Sequence, residues 1–208
     1  RRIYKTEALM QTKQADQQLK VVMLNHLLPI NLSAPWVSQN KAEPCSEKIR
    51  SWLYDNNSLT QKLEYLCQEF QVQIRQQITV SPTSPFLSGY FNNDAKVLLR
   101  EVFLYCDDVP VVFAQTEIPL STLTQEQAQL AEIGSQSLGR ILFQEPSMKR
   151  GTIEVAQFRE KPQLEQLCQS LNQSCAHSLW ARRSLFYLND KPLLVSELFL
   201  PASAIYLT

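Results

Sequence analysis

The chain has 208 residues, of which 44% are hydrophobic and 19% are charged. This composition excludes a disordered protein, and the length is sufficient for one globular domain with a sizeable core. Twenty basic residues balance twenty acidic ones, so the surplus of positive charge that is typical of nucleic-acid-binding proteins is missing. We therefore expect no nucleic-acid partner.

Residues 1–49 are predicted to form an N-terminal arm ahead of a domain at residues 50–208. Prolines interrupt this polar arm, but apolar residues between positions 19 and 27 recur at helical spacing, so we expect part of the arm to dock on the domain. No apolar run near the start approaches the ~20 residues of a membrane span, and no secretory signal is visible. We expect a cytoplasmic protein without a membrane span.

The first regular elements are predicted after residue 57. Ser58 and Gln61 form a capping-box pattern, which predicts a helix that begins at residue 59 and whose apolar stripe reaches Phe70. From Val72 to Val80 the apolar residues alternate as in a strand, and a proline-containing segment ends it.

The middle of the chain predicts a hairpin followed by helices. Val97–Cys106 and Val111–Ile118 are rich in apolar and β-branched residues, and the aspartates between them are typical of a turn. A second capping-box pattern at Thr124 predicts a short helix that Gly134 ends. Leu138–Phe143 is predicted to form one or two further helical turns.

The last third predicts a second hairpin. A strand at 152–155 and a helix at 162–171 precede strands at 179–188 and 193–200, with a turn at Asn189 and Asp190. This order of elements predicts an α+β fold in a single domain, with a mainly antiparallel sheet.

Five cysteines and two histidines are dispersed through the chain, without a C-x-x-C motif. A zinc site needs clustered thiolate or imidazole ligands, so we predict no metal site. Most cysteines are interpreted as small buried apolar residues in a reducing compartment. Cys175 and His177 remain an alternative nucleophilic pair.

Two charged residues lie on apolar faces of predicted strands. Arg100 shares a face with Val102 and Leu104, and Glu197 shares one with Val195 and its other apolar neighbours. Burying such charges costs several kcal/mol unless a partner or ligand compensates. Either the two residues form a structural ion pair, with each other or with Glu101 or Arg182, or they line a ligand pocket.

In the pocket interpretation, Arg100 binds a carboxylate with its planar donor fork, and Glu197 serves as a proton carrier or hydroxyl acceptor. Arg182 and Arg183 are adjacent in a predicted strand, so one is expected to enter the pocket and the other the solvent. The alternative for both is a solvated strand end.

Four segments carry a family resemblance: LREVFL at 99–104, LGRILF at 138–143, LWARRS at 179–184 and KPLLVSELFLPAS at 191–203. In this order and spacing they resemble the chorismate pyruvate-lyases, which release 4-hydroxybenzoate and pyruvate from chorismate for quinone biosynthesis. The resemblance implies a sheet of about six antiparallel strands, with helical flaps over a buried pocket. It also implies chorismate as substrate, 4-hydroxybenzoate as product, and no metal or organic cofactor.

Carried over by position, the resemblance assigns Arg100 to the ring carboxylate and Glu197 to the hydroxyl end of the ligand. The backbone at Leu138 is expected to bind and cover the ligand. Leu59 stands where the family usually has a methionine on the first flap, and we include it as a ligand contact.

The chain departs from better-known members of the family by a longer arm and an insertion near residues 156–178. We expect a monomer. The alternative function is a small-molecule sensor domain of the same fold without catalysis. Such regulators carry an upstream winged helix-turn-helix domain, which residues 1–50 are too short and too proline-broken to supply.

Overall fold

The computed structural model describes residues 36–38, 45–82, 96–159, 162–175 and 178–207. Its helices are α1 (Glu47–Leu53), α2 (Leu59–Leu66), a 3₁₀ helix (Gln125–Ala131), α3 (Leu138–Gln144) and α4 (Pro162–Ser170). Its strands are β1 (Val37–Ser38), β2 (Phe70–Val80), β3 (Val97–Cys106), β4 (Val109–Pro119), β5 (Lys149–Arg150), β6 (Glu154–Phe158), β7 (Leu179–Leu188) and β8 (Lys191–Phe199).

All strand pairs in this sheet are antiparallel, in the order β1-β6-β7-β8-β4-β3-β2, with β5 paired to β7. The fold is therefore the predicted α+β class. Eight strands are described rather than about six, because the two-residue strands β1 and β5 add to six longer ones. Strands this short have no apolar alternation of their own, so no sequence pattern predicted them.

Local signals at the predicted turns and caps explain most element boundaries. The Ser58 hydroxyl accepts a hydrogen bond from the Gln61 amide and starts α2, as the capping pattern predicted. Asp107 and Asp108 in the β3–β4 turn, like Asn189 and Asp190 in the β7–β8 turn, have positive φ angles. Such left-handed residue pairs match the twist of two-residue hairpins.

Several predicted boundaries differ from the structure. Helix α2 ends at Leu66, and Phe70, which its apolar stripe was predicted to reach, is the first residue of β2. The Thr124 side chain makes no capping hydrogen bond, and the segment after it is a 3₁₀ helix rather than an α-helix. Strand β6 runs to Phe158, into the predicted insertion, because it pairs with β7 from Glu154 onwards. The extension of β6 thus depends on a strand pairing between residues that are distant in sequence.

The two faces of the sheet are buried by different elements. One face carries two apolar clusters, around Leu104 and Phe199 at one end and around Leu98 and Phe186 at the other. The opposite face packs against α4, through Leu164 and its neighbours. The helix of the insertion thus completes the core behind the sheet.

Several expectations concern residues outside the described ranges, including the apolar stripe at 19–27 and both histidines. Cys175 is bonded to Cys168, so these two cysteines are exceptions to the interpretation given for most cysteines, whereas Cys45, Cys67 and Cys106 are free. That bond also occupies the thiol of the alternative Cys175–His177 pair. The boundary of the arm at residue 49 stays a prediction. In the described part of the chain, no helix is long and apolar enough to cross a membrane.

Candidate active site

A cavity of about 50 Å³ lies between the two apolar clusters, with the sheet as its floor and α2 and α3 as its cover. This volume holds a few water molecules, at roughly 10–15 Å³ each. The residues lining it come from β2, β3, β4, β7, β8, both covering helices and β5. They are Asn57, Leu59, Thr60, Val72, Arg100, Val102, Leu104, Ala114, Thr116, Ser137, Leu138, Gly139, Leu142, Phe143, Arg150, Arg182, Phe186, Val195 and Glu197.

Arg100 is a buried cation on the cavity floor, with 2% of its surface exposed. Its Nη1 donates to the Gln77 side-chain oxygen at 3.4 Å, and its Nη2 donates to the Gln136 carbonyl at 3.2 Å. Both acceptors are neutral, and the described residues supply no ion pair to this guanidinium. Burial lowers the pKa of Arg100 from its ordinary value. An anionic ligand would provide the missing counter-charge.

Glu197 also lines the cavity, but it has a protein partner. Its Oε2 accepts a hydrogen bond from Nε of Arg182 at 2.5 Å. Arg182 is itself held by the carbonyls of Trp52 and Asp55, at 2.9 and 3.0 Å. The structural alternative, a pair between Arg100 and Glu197, is therefore wrong, whereas a pair between Glu197 and Arg182 is present. An ionised carboxylate held in this way can accept a hydrogen bond from a ligand hydroxyl.

The remaining charge at the cavity belongs to Arg150, a residue that no sequence pattern had indicated. Its Nε donates to the Ser184 hydroxyl at 3.1 Å, and its Nη1 donates to the Asp55 carbonyl at 3.2 Å. The guanidinium lies 5.1 Å from the centre of the Phe186 ring. Among the described residues, three arginines and one glutamate line the cavity, an excess of two positive charges.

The two neighbouring arginines Arg182 and Arg183 separate as strand alternation requires. Arg182 enters the cavity, whereas Arg183 lies on the opposite face, paired with Glu154 at 2.8 Å and positioned over the Trp36 ring. The expectation that the second arginine enters the solvent is wrong, because β6 and Trp36 cover it.

Helices α2 and α3 are joined directly above the cavity. The Thr60 and Ser137 hydroxyls are 2.6 Å apart, and Arg140 forms an ion pair with Glu64 at the rim. Leu59 and Leu138, the two predicted contacts from the flaps, are both buried and line the cavity. All four predicted site residues thus lie around one cavity, although their roles stay predictions.

At Gly139, helices α2 and α3 approach each other so closely that a side chain larger than hydrogen would be crowded. A Cβ at this position would lie 2.8 Å from the Thr60 Oγ1, which is shorter than any ordinary contact. We expect Gly139→Ala to cost about 1–3 kcal/mol of stability through overpacking. Thermal unfolding measures this cost. In a Thr60→Ala background the cost should shrink, and an unchanged cost there would contradict the close approach.

The geometry contains no metal centre: among the described residues, no group of three or more His, Cys, Asp or Glu side chains could hold a metal ion. The site is instead a cavity lined by a buried arginine that has no ion pair among the described residues and by a carboxylate that another arginine holds. Such a site is suited to a small organic anion that also carries a hydroxyl.

The sequence model described as "Chorismate lyase" matches residues 30–208. The chain belongs to the chorismate lyase family. It is similar to a "Probable chorismate pyruvate-lyase" from Psychromonas ingrahamii, with 57% identity over 181 residues, which cover 87% of this chain and 97% of that protein. It is also similar to a protein of the same name from Shewanella sp. strain ANA-3, with 39% identity, covering 84% of this chain and 92% of that protein.

Solved structures show the same fold at much lower sequence identity. PhnF from Mycobacterium smegmatis matches with a TM-score of 0.52 and 14% identity, over 71% of this chain and 65% of that one. A gene product from Staphylococcus aureus matches with a TM-score of 0.50 and 12% identity, over 70% of this chain and 89% of that one. These likenesses concern the fold alone, so the family rests on the sequence matches.

Proposed function

We propose that this member of the chorismate lyase family eliminates pyruvate from chorismate and releases 4-hydroxybenzoate for quinone biosynthesis. The observation that carries the proposal is Arg100, a buried cation that lines the cavity and has no ion pair with a described residue. A ring carboxylate would neutralise it through two parallel hydrogen bonds. The relatives named chorismate pyruvate-lyase support the same activity.

The remaining residues take roles that follow from their places around the cavity. Glu197, held by Arg182, accepts a hydrogen bond from the ligand hydroxyl. The backbone at Leu138 binds and covers the ligand, and Leu59 closes the cavity from the other helix. The Thr60–Ser137 contact holds this cover shut during the reaction.

The proposed reaction needs no redox step. The bond between ring carbon C3 and the ether oxygen breaks, and its electron pair stays with the leaving enolpyruvyl group. The hydrogen on C4 leaves as a proton, and the electrons of that C–H bond complete the aromatic ring. A proton added to the enolpyruvyl methylene carbon then gives pyruvate. Atoms and electrons balance without oxidant, reductant or water.

Because aromatisation drives this elimination, the protein mainly has to bind the reactive conformer in a closed, preorganised environment. Arg100 and Glu197 fix the two ends of the ring, and the apolar walls exclude water. We therefore propose a cofactor-free lyase that acts in the cytoplasm as a monomer and binds no nucleic acid.

Purified protein should convert chorismate into equimolar 4-hydroxybenzoate and pyruvate without added metal. Chromatography of the aromatic product and a coupled lactate dehydrogenase assay for pyruvate measure both products. Activity should persist in a chelator, and light scattering should show one chain per particle. If the protein binds 4-hydroxybenzoate but leaves chorismate intact, the function is that of a sensor and the proposal fails.

A further inference from the structure

The proposed roles leave one charged cavity residue unused. In the proposed function Arg100 binds a ring carboxylate, and Arg182 is neutralised by Glu197, but the described residues give Arg150 no such partner. Among the described residues no carboxylate lies within ion-pair distance of Arg150. The cavity therefore has two cations available for anionic groups of a ligand, rather than one.

Arg150 remains charged although its surroundings oppose the charge. Burial and the neighbouring Arg182 lower the pKa of Arg150 to about 10, while Glu197 and Asp55 oppose this shift. The protein thus keeps a half-buried cation beside another cation. Its two printed hydrogen bonds, to Ser184 and to the Asp55 carbonyl, use Nε and Nη1 and are both to neutral oxygens. The second terminal nitrogen, Nη2, makes no hydrogen bond to a described residue.

The position of Arg150 in the sheet determines which end of a bound ligand it can contact. Arg150 lies on β5, which pairs with β7, whereas Arg100 lies on β3. Strands β7, β8 and β4 lie between β5 and β3, so about four strand spacings of ~4.8 Å divide the two backbone positions. Arg150 is instead close to Arg182, since both guanidinium groups donate to the Asp55 carbonyl, and Arg182 in turn holds Glu197. It belongs to the hydroxyl end of the cavity.

We propose that Arg150 binds the second carboxylate of the substrate, the one on the enolpyruvyl group, and thereby selects the dicarboxylate substrate over the monocarboxylate product. This inference rests on the proposed function. In chorismate the enolpyruvyl ether is on C3, next to the C4 hydroxyl that Glu197 would bind. The second carboxylate is therefore carried at the same end of the ring as Arg150, opposite the carboxylate at C1.

The proposal explains why the cavity has an excess of two positive charges, since chorismate carries two negative charges that would balance them. Arg150 also faces the group that accepts electrons when the C–O bond breaks, so it stabilises the leaving enolpyruvyl group. After pyruvate departs, 4-hydroxybenzoate has one carboxylate, and Arg150 has no anion to bind. Product affinity should then depend on Arg100 and not on Arg150.

Two stable ligands and one substitution test this inference. The first ligand is 4-hydroxybenzoate, and the second is 3-(carboxymethoxy)-4-hydroxybenzoate, an aromatic diacid with its extra carboxylate on an ether at C3. Calorimetry with Arg150→Gln should show diacid affinity reduced at least about tenfold and monoacid affinity changed by less than about twofold. Turnover of chorismate should show a matching loss in kcat/KM.

Lys149→Gln is the matched control, because it removes one positive charge from the adjacent, exposed residue that pairs with Asp190. It should leave both affinities unchanged. If the Gln variant does not fold, Arg150→Lys replaces it, and the ratio of diacid to monoacid affinity should still fall because a point charge lacks the fork. An affinity ratio equal to that of the wild type in the folded variant overturns the inference.

The failure of the proposed function would be visible separately. Neither ligand requires turnover, so a wild-type protein that leaves chorismate intact contradicts the lyase proposal whatever the calorimetry shows. Active wild-type protein with the same affinity ratio in Arg150→Gln contradicts only the role of Arg150.

Discussion

Arg100→Ala should weaken the binding of 4-hydroxybenzoate by about 30-fold to several thousand-fold, equivalent to roughly 2–5 kcal/mol. The reason is that, among the described residues, Arg100 has only the neutral oxygens of Gln77 and Gln136 as partners, so a ligand carboxylate would provide its counter-charge. Arg100→Lys should also bind poorly, because a point charge cannot replace the planar fork. Calorimetry on folded protein measures both affinities.

Thermal unfolding without ligand separates this role from a structural one. Since burial opposes the charge of Arg100 and no ion pair with a described residue compensates it, Arg100→Ala should keep or raise the melting temperature of the free protein. Lys96→Ala, which removes an exposed charge just before the same strand, is the control and should leave product affinity unchanged. A depressed melting temperature with unchanged product affinity would assign Arg100 to structure.

Glu197→Gln should lower the turnover of chorismate by at least about tenfold, or ~1.4 kcal/mol of transition-state stabilisation. Binding of 4-hydroxybenzoate should remain measurable, because an amide oxygen still accepts a hydrogen bond from a hydroxyl. The substitution also removes the partner of Arg182, so stability should fall as well. Breaking a fully buried pair costs roughly 3–5 kcal/mol, and less is expected here because the Glu197 side chain is 16% exposed.

The loss of stability makes a matched control necessary. Glu154→Gln breaks a similar ion pair, with Arg183, on the face of the sheet away from the cavity. It should lower the melting temperature without changing the turnover of folded protein. If Glu197→Gln behaves in the same way, with wild-type turnover below its melting temperature, Glu197 has no catalytic role.

Strand alternation predicted the two central site residues because it is a local property of the backbone. Successive side chains of a strand point to opposite faces, so Arg100 and Glu197 had to share faces with apolar neighbours. The same rule separated Arg182 from Arg183, although it did not indicate what would cover the second arginine. Local signals likewise predicted the start of α2 at Ser58 and both hairpin turns.

No local sequence pattern could predict which charged residues form ion pairs with each other. Glu197 lies opposite Arg182 in the pairing of β8 with β7, whereas Arg100 lies opposite Thr116 on β4, so strand order and register excluded the pair between Arg100 and Glu197. Arg150 is on a two-residue strand that pairs with β7, and a strand this short is too short to produce a periodic signal.

The sequence by itself determined the α+β class, the main hairpins, the family resemblance and the presence of two charges on apolar faces. Each of these depends on residues close together in the chain, or on their order along it. Only the tertiary structure decided that Arg100 has no counter-charge among the described residues, that Arg182 holds Glu197, and that Arg150 joins the cavity. Those contacts join residues far apart in the chain, and electrostatic energy depends on their distance in space and their burial, which no spacing in the sequence specifies.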